Sequence, residues 1–384
     1  MNSETRTVVL SPHMGAHHWV QACAAAALMP DCAFVEVSSS QNRYPWKGYQ
    51  SGEEVRHFCL FDRPFEEISP AAMSAAVLSC LERLGPRAVF TPGYNAPYMR
   101  DAARWARARG RAAVLCSDSW MGDHKRSWPR EQAKRWLIPR LYDGVFVSGE
   151  MAAAYAASLG FCPSRIWRGL DVVDNDYFAT GAQAARADSG LRQRLGLSEN
   201  YILCVSRMIS EKNLHVLIEA FADYRKRGGP FGLVIVGDGP LKAELERQIA
   251  ARGLADVVQL WPWATYDQLP PLYALARCLV LPSCSETWGL VVNEAMACDL
   301  PVLVSDKCGC GPDLCRRGVN GFVFDHRNPV ELSDAMTRMS DGSMDLAAMG
   351  QASRGIIANW TPRAWALSLA DCVNTLDREP GARK

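Results

Sequence analysis

Two glutamates with seven residues between them, Glu286 and Glu294, stand in the stretch Ser283-Cys-Ser-Glu-Thr-Trp-Gly-Leu-Val-Val-Asn-Glu-Ala-Met-Ala-Cys-Asp-Leu-Pro-Val302. The apolar run Cys278–Leu281 before them reads as a buried strand. Ala-Met-Ala after Glu294 favours helix, and Asp299 and Pro301 are stop signals. A strand, a short loop and a helix aim backbone N–H groups and a positive dipole end at an anion. Glu286 then sits in the loop beside whatever the helix holds, and Glu294 lies one to two turns further in. A second loop, Ser206-Arg-Met-Ile-Ser-Glu-Lys-Asn213, follows the apolar run Tyr201–Val205 and places Arg207 and Lys212 five apart. Two such cations can converge on one diphosphate, the arginine as a planar fork and the lysine as a point charge. Taken singly, each motif is equally an ordinary βα loop with its charges in solvent.

The string Glu286-Thr-Trp-Gly-Leu-Val-Val-Asn-Glu294-Ala-Met-Ala, followed by Leu300-Pro-Val-Leu-Val-Ser-Asp306, resembles the donor-site signature of the family-4 retaining glycosyltransferases. The Arg207…Lys212-Asn213 loop resembles that family's phosphate loop. The resemblance covers essentially all of the second half and the layout of the first. It implies an α/β chain of GT-B fold, two Rossmann-like domains facing across a cleft. The implied reaction moves a hexose-type sugar, with retention, from a nucleotide-diphosphate donor of UDP or GDP type to an acceptor hydroxyl on a saccharide, glycolipid or small molecule. No cofactor and no metal are implied.

Carried onto these residues, the resemblance sets Arg207 and Lys212 on the leaving diphosphate, Glu286 on the sugar hydroxyls and Glu294 on the ribose. Ser206, Thr287, Trp288, Gly289 and Leu290 fall along the donor, and Trp263, in the loop Trp261–Ala264, falls where relatives hold the base. Gly15, in the first βα loop, falls against the donor phosphates. Many relatives carry a histidine near the end of the strand read at Ala112–Cys116; here Asp118 stands there, with His124 six residues on. Either Asp118 or His124 could take the related role; Asp118 is counted with the catalytic residues, and His124 and His17 are expected near the acceptor. The rival readings are a catalytically inactive nucleotide-sugar-binding subunit and a GT-B phosphorylase or epimerase.

The elements that must position these residues are legible in the rest of the chain. Its 384 residues suffice for two domains, each with its own core. A composition 48% hydrophobic and 22% charged is that of a soluble globular protein, and a net charge of +1 argues against a nucleic-acid partner. No apolar run approaches a membrane span, and Met1–Arg6 leads straight into a strand with no signal-peptide core. The 14 cysteines include no Cys-x-x-Cys pair, and the Cys308, Cys310, Cys315 cluster lacks metal-site spacing. These features suggest a cytoplasmic chain. From Arg100 to Arg140 there are eleven Arg or Lys against four acids, interleaved with Trp105, Trp120, Trp128 and Trp136. That segment is either a solvated helix face with aromatic core anchors or a peripheral contact for an anionic membrane or acceptor.

Short apolar runs alternate with helical patterns throughout, which argues for parallel sheets covered on both faces. Strands are expected at Thr7–Leu10, Ala33–Val37, Ala88–Phe90, Ala112–Cys116, Gly144–Val147 and Arg165–Arg168, with helices at Trp19–Leu28, Pro70–Leu84 and Pro97–Arg109. Residues 38–54, including Arg43-Tyr-Pro-Trp-Lys47, read as a long polar loop on the acceptor side. The expected division is a Rossmann-like acceptor domain over 1–175, a linker over 176–198, a Rossmann-like donor domain over 199–360, and a helix over 361–384 that crosses back to the first domain.

Overall fold

The computed structural model describes residues 6–41 and 55–378. Residues 42–54, with the Arg43–Lys47 motif, lie outside the described residues. The chain divides into two compact units. The first takes the residues up to Met121, Lys125–Val172, and the chain from Pro362 onward; the second takes Gly122–His124 and Val173–Thr361.

The first unit runs β1 (Thr7–Ser11), α1 (Ala16–Leu28), β2 (Cys32–Ser40), β3 (Arg56–Pro64), α2 (Pro70–Leu84), β4 (Ala88–Thr91), α3 (Pro97–Ala108), β5 (Ala112–Ser117), α4 (Trp128–Leu141), β6 (Gly144–Val147), α5 (Glu150–Ser158) and β7 (Ile166–Arg168). The second contains α6 (Asn175–Ala187), α7 (Leu191–Arg194), β8 (Tyr201–Val205), α8 (Leu214–Lys226), β9 (Gly232–Val236), α9 (Lys242–Ala251), β10 (Val258–Trp261), α10 (Leu269–Leu275), β11 (Cys278–Leu281), α11 (Leu290–Ala297), β12 (Val302–Ser305), α12 (Gly311–Leu314), β13 (Gly321–Phe324), α13 (Pro329–Arg338) and α14 (Leu346–Ile357). The last helix, α15 (Pro362–Arg378), belongs to the first unit.

Both sheets are parallel. The first orders its strands β3-β2-β1-β4-β5-β6-β7 and the second β10-β9-β8-β11-β12-β13. Strands such as β4, β6, β11 and β12 are buried along their whole length. That is why they read as unbroken apolar runs rather than alternating ones: helices cover both faces. The helices start and stop where side chains serve their ends. Ser69 accepts from the Ala72 amide at 3.3 Å, Pro70 opens α2, and Gly85 closes it with φ 59°. In α15, Trp365 packs its ring 6.4 Å from Phe34 and 6.0 Å from Phe146, and the Trp167 indole donates to Asp371 at 3.0 Å.

Two expectations are corrected. β3 is absent from the sequence reading: it is a half-buried edge strand carrying Arg56, His57, Asp62, Arg63 and Pro64. Charges and proline at its ends suit an edge, because they discourage pairing with another chain; its centre, Phe58-Cys-Leu-Phe61, is an apolar run packed against the core that the sequence reading passed over. The stretch 176–198 is helical and part of the second unit's core. Asp174 caps α6 by accepting from the Tyr177 amide at 2.9 Å, and Phe178, Ala182 and Ala185 are buried. Its Gly/Ala-rich composition serves close packing against α10, since a Cβ at Gly181 would lie 2.7 Å from the Pro270 ring.

Gly181→Val should therefore lower stability in urea by about 1–3 kcal/mol, the usual cost of overpacking a tight contact. An unchanged midpoint would mean that α6 is only loosely attached.

Candidate functional site

In an open parallel sheet the strand order must reverse once, and the loops leaving the two strands at that line diverge to leave a crevice at their carboxyl ends. In the second unit that line runs between β8 and β11. The loop after β8 is Ser206–Asn213 and the loop after β11 is Pro282–Gly289, so topology alone brings both chemistry-bearing motifs to one place.

The two loops are tied together. The Cys284 amide donates to the Glu211 carbonyl at 2.9 Å. Asn213 takes the left-handed conformation (φ 54°), which asparagine tolerates better than most residues. Its side-chain amide donates to the carbonyls of Pro282 (3.1 Å) and His326 (2.8 Å). Between these ties Lys212 Nζ pairs directly with Glu286 Oε2, which also accepts from Ser283 Oγ at 3.0 Å. The two charged side chains are only 15% and 14% exposed. A pair this shielded gains from mutual attraction, and removing one partner leaves a costly unpaired charge.

Glu286 is further fixed through its backbone, whose carbonyl accepts from Gly309 at 3.2 Å. Gly289 follows with φ 109°, a conformation open to glycine, and a Cβ there would lie 2.7 Å from Leu281. α11 starts immediately afterwards, so the positive end of its dipole faces the crevice. Trp288 does not: it is 2% exposed, its indole donates to Asn293 at 2.9 Å, and its ring packs 4.9 Å from Trp360. Its side chain is a core anchor beneath the loop. Thr287 and Leu290, on either side, are half-buried.

Glu294 lies in α11 with its carboxyl group buried, accepting from the Tyr273 hydroxyl at 2.6 Å. Burial pushes this carboxyl up to about 7, the tyrosine hydrogen bond offsetting only part of the effect. Tyr273 was not singled out in the sequence, because an aromatic residue in an apolar helix signals core and nothing more. On the β8 side, Ser206 and Arg207 are half-buried. Their loop rests on the Gly237-Asp-Gly239 turn, with the Met208 amide donating to Asp238 at 2.8 Å. Gly237 (φ 144°) permits this, since a Cβ there would collide with the Ser206 carbonyl at 2.0 Å. Trp263, in the loop after β10, is 40% exposed.

In the first unit the strand order reverses between β1 and β4. Gly15 is buried at the start of α1, its amide donating to His18 Nδ1 at 3.2 Å. His17 is the next residue but one, and burial lowers its imidazole to about 4, so it is neutral. Asp118 is half-buried just past the end of β5. His124 is exposed and pairs with the buried Asp123 at 2.7 Å. Asp118 and His124 fall in different units. A residue that the sequence reading passed over, Glu36 on β2, gathers His13 and His57 at 2.9 and 3.0 Å.

The family model for "Glycosyl transferases group 1" matches residues 191–355, the span that holds both loops. A GDP-mannose-dependent alpha-(1-6)-phosphatidylinositol monomannoside mannosyltransferase of Mycobacterium tuberculosis is 31% identical over 291 residues, 73% of this chain and 74% of that protein. An alpha-D-kanosaminyltransferase of Streptomyces kanamyceticus is 33% identical over 178 residues, 46% of this chain and 45% of that protein. Among solved structures, Anabaena Alr3699/HepE in complex with UDP superposes with a TM-score of 0.73 at 18% identity, over 97% of this chain and all of that one. The chain belongs to the group 1 glycosyl transferases, the family-4 type its motifs resemble. Its two Rossmann-like units are those of the GT-B fold, and it is a glycosyltransferase.

Two predictions follow from the geometry of the second unit. Lys212→Met and Glu286→Gln should each destabilise the chain, and the double variant should cost less than the sum of the two, with a coupling of about 1–3 kcal/mol. Additive costs would mean that the pair is not a mutual one. For Glu294, a native state that binds the proton more tightly than the unfolded chain loses stability as pH rises, here between the ordinary glutamate value of about 4.5 and about 7. Glu294→Gln should thus match the parent at pH 4 and exceed it in urea unfolding at pH 8, by up to about 3 kcal/mol. Parallel pH profiles for the two proteins would contradict the buried-carboxyl assignment.

Proposed function

We propose that this glycosyltransferase moves a hexose-type sugar from a nucleotide-diphosphate donor of UDP or GDP type to an acceptor hydroxyl, with retention and without a metal or cofactor. The observation that carries the proposal is the convergence of Lys212 and Glu286 where the second sheet reverses its order. That arrangement places a cation and a carboxylate side by side, as a donor with a diphosphate next to a polyhydroxyl ring requires. The mycobacterial relative's name gives GDP-mannose as its donor, and the Anabaena protein binds UDP. Both support a nucleotide-sugar donor here.

As the glycosidic bond breaks, negative charge grows on the leaving diphosphate. Fixed positive charge at that point favours the transition state over the ground state. Arg207, Lys212 and the amino end of α11 would supply it. An ammonium has three N–H donors, and Glu286 occupies one. Glu286 thereby orients Lys212 while its own carboxylate accepts from the sugar hydroxyls. Glu294 would accept from the ribose. Gly15, Ser206, Thr287, Gly289 and Leu290 would line the donor, and Trp263 the base. The donor phosphate itself would take the acceptor proton, so Asp118, His124 and His17 would act on the acceptor by contact and field.

No helix among the described residues is long and apolar enough to cross a membrane. The basic segment nevertheless divides cleanly: Trp105 and Trp120 are core residues, whereas Trp128 and Trp136 on α4 are 74% and 62% exposed. Arg130, Arg135 and Arg140 are exposed on the same helix. We place the chain in the cytoplasm, in peripheral contact with an anionic lipid surface through α4. Flotation with phosphatidylglycerol vesicles, but not phosphatidylcholine vesicles, should recover the protein, and Trp128→Ala with Trp136→Ala should abolish that. Equal recovery of the parent and the double variant would remove α4 from the contact.

The catalytic assignment has a kinetic signature. Arg207→Ala should cut turnover by roughly 10²–10³, the scale of one preorganised charge contact. Glu286→Gln should act on turnover, while Glu294→Gln should raise the donor KM with less effect on turnover, because the ribose is gripped equally in ground and transition states. The reverse division between the two glutamates would exchange their roles. The same assay should be indifferent to excess EDTA. One trio of potential ligands, Asp306, Asp325 and His326, does cluster among the described residues, and activity lost to EDTA and restored by Mg²⁺ or Mn²⁺ would overturn the metal-free reading.

A further inference from the structure

Buried side-chain nitrogens in folded proteins nearly always have a hydrogen-bond partner. In the first unit, Nε2 of His13 is buried and has none. His13 stands in the loop between β1 and α1, beside the line where that sheet reverses its order. Its side chain is 3% exposed and that of Glu36 is 7% exposed.

The ring is firmly held. Nδ1 lies 2.9 Å from Glu36 Oε1 and 3.2 Å from the Ser38 carbonyl. Glu36 Oε1 also accepts from the Met14 amide at 2.7 Å, and Oε2 faces His57 at 3.0 Å. Ser11 Oγ donates to the His13 carbonyl at 2.7 Å, and the Ser38 amide donates to the Pro12 carbonyl at 3.1 Å. Burial alone would raise the Glu36 carboxyl, but the hydrogen bonds from His13, His57 and Met14 outweigh it and hold it at about 2. Both groups facing Nδ1 are therefore acceptors, and the proton sits on Nδ1. This is the arrangement in which a carboxylate fixes the tautomer and direction of an imidazole and leaves Nε2 for a ligand.

A purely structural clasp between the loop and β2 would need Nδ1 alone and gives Nε2 nothing to do. Nε2 offers a lone pair when the ring is neutral and an N–H when it is charged. A hydroxyl, which both donates and accepts, satisfies either form. The other titratable groups nearby are His57, which shares Glu36, and His17 and His18 on α1, both kept neutral by burial.

We propose that His13 Nε2, aimed by Glu36, is a hydroxyl-binding site of the first unit that holds the acceptor of the transfer reaction, a polyol or sugar. The site rests on the glycosyl-transfer reading for its occupant. Its geometry is independent of that reading. Glu36 is a positioning residue and His13 the contact.

The test uses the full-length chain labelled with [15N]histidine and reads both ring nitrogens of His13 by two-bond proton–nitrogen NMR. Myo-inositol and methyl α-D-mannopyranoside serve as probes, each with and without UDP or GDP. Saturating probe should move the Nε2 resonance while Nδ1 stays protonated. His13→Asn keeps a donor towards Glu36 but has nothing at the Nε2 position, so it should weaken probe binding about tenfold, the loss of one buried hydrogen bond. His13→Gln, which reaches the Nε2 position, should retain more of the binding. No movement of Nε2 with either probe would overturn the proposal, as would a His13→Asn variant that binds as tightly as the parent. Nucleotide bound without any polyol effect defeats this site alone. A polyol effect without nucleotide binding supports the site and defeats the donor reading instead.

Discussion

A parallel sheet that is covered on both faces has to reverse its strand order somewhere, and the loops at that line cannot close over each other. In the second unit the gap falls between β8 and β11, and the Lys212–Glu286 ion pair spans it. Three neighbouring residues hold that pair in place. Asn213 turns the chain directly after the lysine and bonds the opposite loop. Ser283 shares the Glu286 oxygen, and Gly289 bends the backbone so that α11 begins where it does. Asparagine at 213 and glycine at 289 are matched to backbone conformations that most side chains would strain. The pair also solves a local problem: a lysine and a glutamate shielded to this extent need one another, and their contact holds both in place at the β8–β11 line.

The second constraint is the burial of Glu294. An ionised carboxyl group inside a helix that packs on all sides is unfavourable, and the Tyr273 hydroxyl relieves part of that cost. A residue that costs stability in isolation is well suited to gain from a ligand, because hydrogen bonds from a bound hydroxyl replace those the carboxylate lost on leaving water. The same logic appears in smaller form at His13, where an oriented nitrogen is buried ahead of any partner.

Much of this was legible in the chain because fully buried parallel strands have no solvent face. Their apolar runs announce them, and the loops between them stand out by contrast. Glu286, Lys212 and Arg207 were readable for that reason: each sits in a polar interval that follows an apolar run. Other features gave no such contrast. α6 has the composition of a linker because close packing on α10 also requires small residues, and the short apolar centre of β3, Phe58-Cys-Leu-Phe61, is flanked by charges and proline as an edge strand is. Trp288 falls along the donor by resemblance, yet its side chain lies under the loop in the core. Tyr273 and Glu36 act through contacts 21 and 22 residues away in sequence, with Glu294 and Met14 respectively, and no local pattern encodes such a partner.

In the proposed reaction the crevice at the β8–β11 line recognises the diphosphate of a nucleotide through Lys212. Calorimetric titration with UDP, GDP and the corresponding monophosphates tests it directly, in the parent and in Lys212→Met. The parent should bind one diphosphate nucleotide clearly more tightly than its monophosphate, and this preference should collapse in the variant while the residual nucleoside affinity remains. Equal affinity for diphosphate and monophosphate in the parent, or a preference that survives the loss of Lys212, would contradict it.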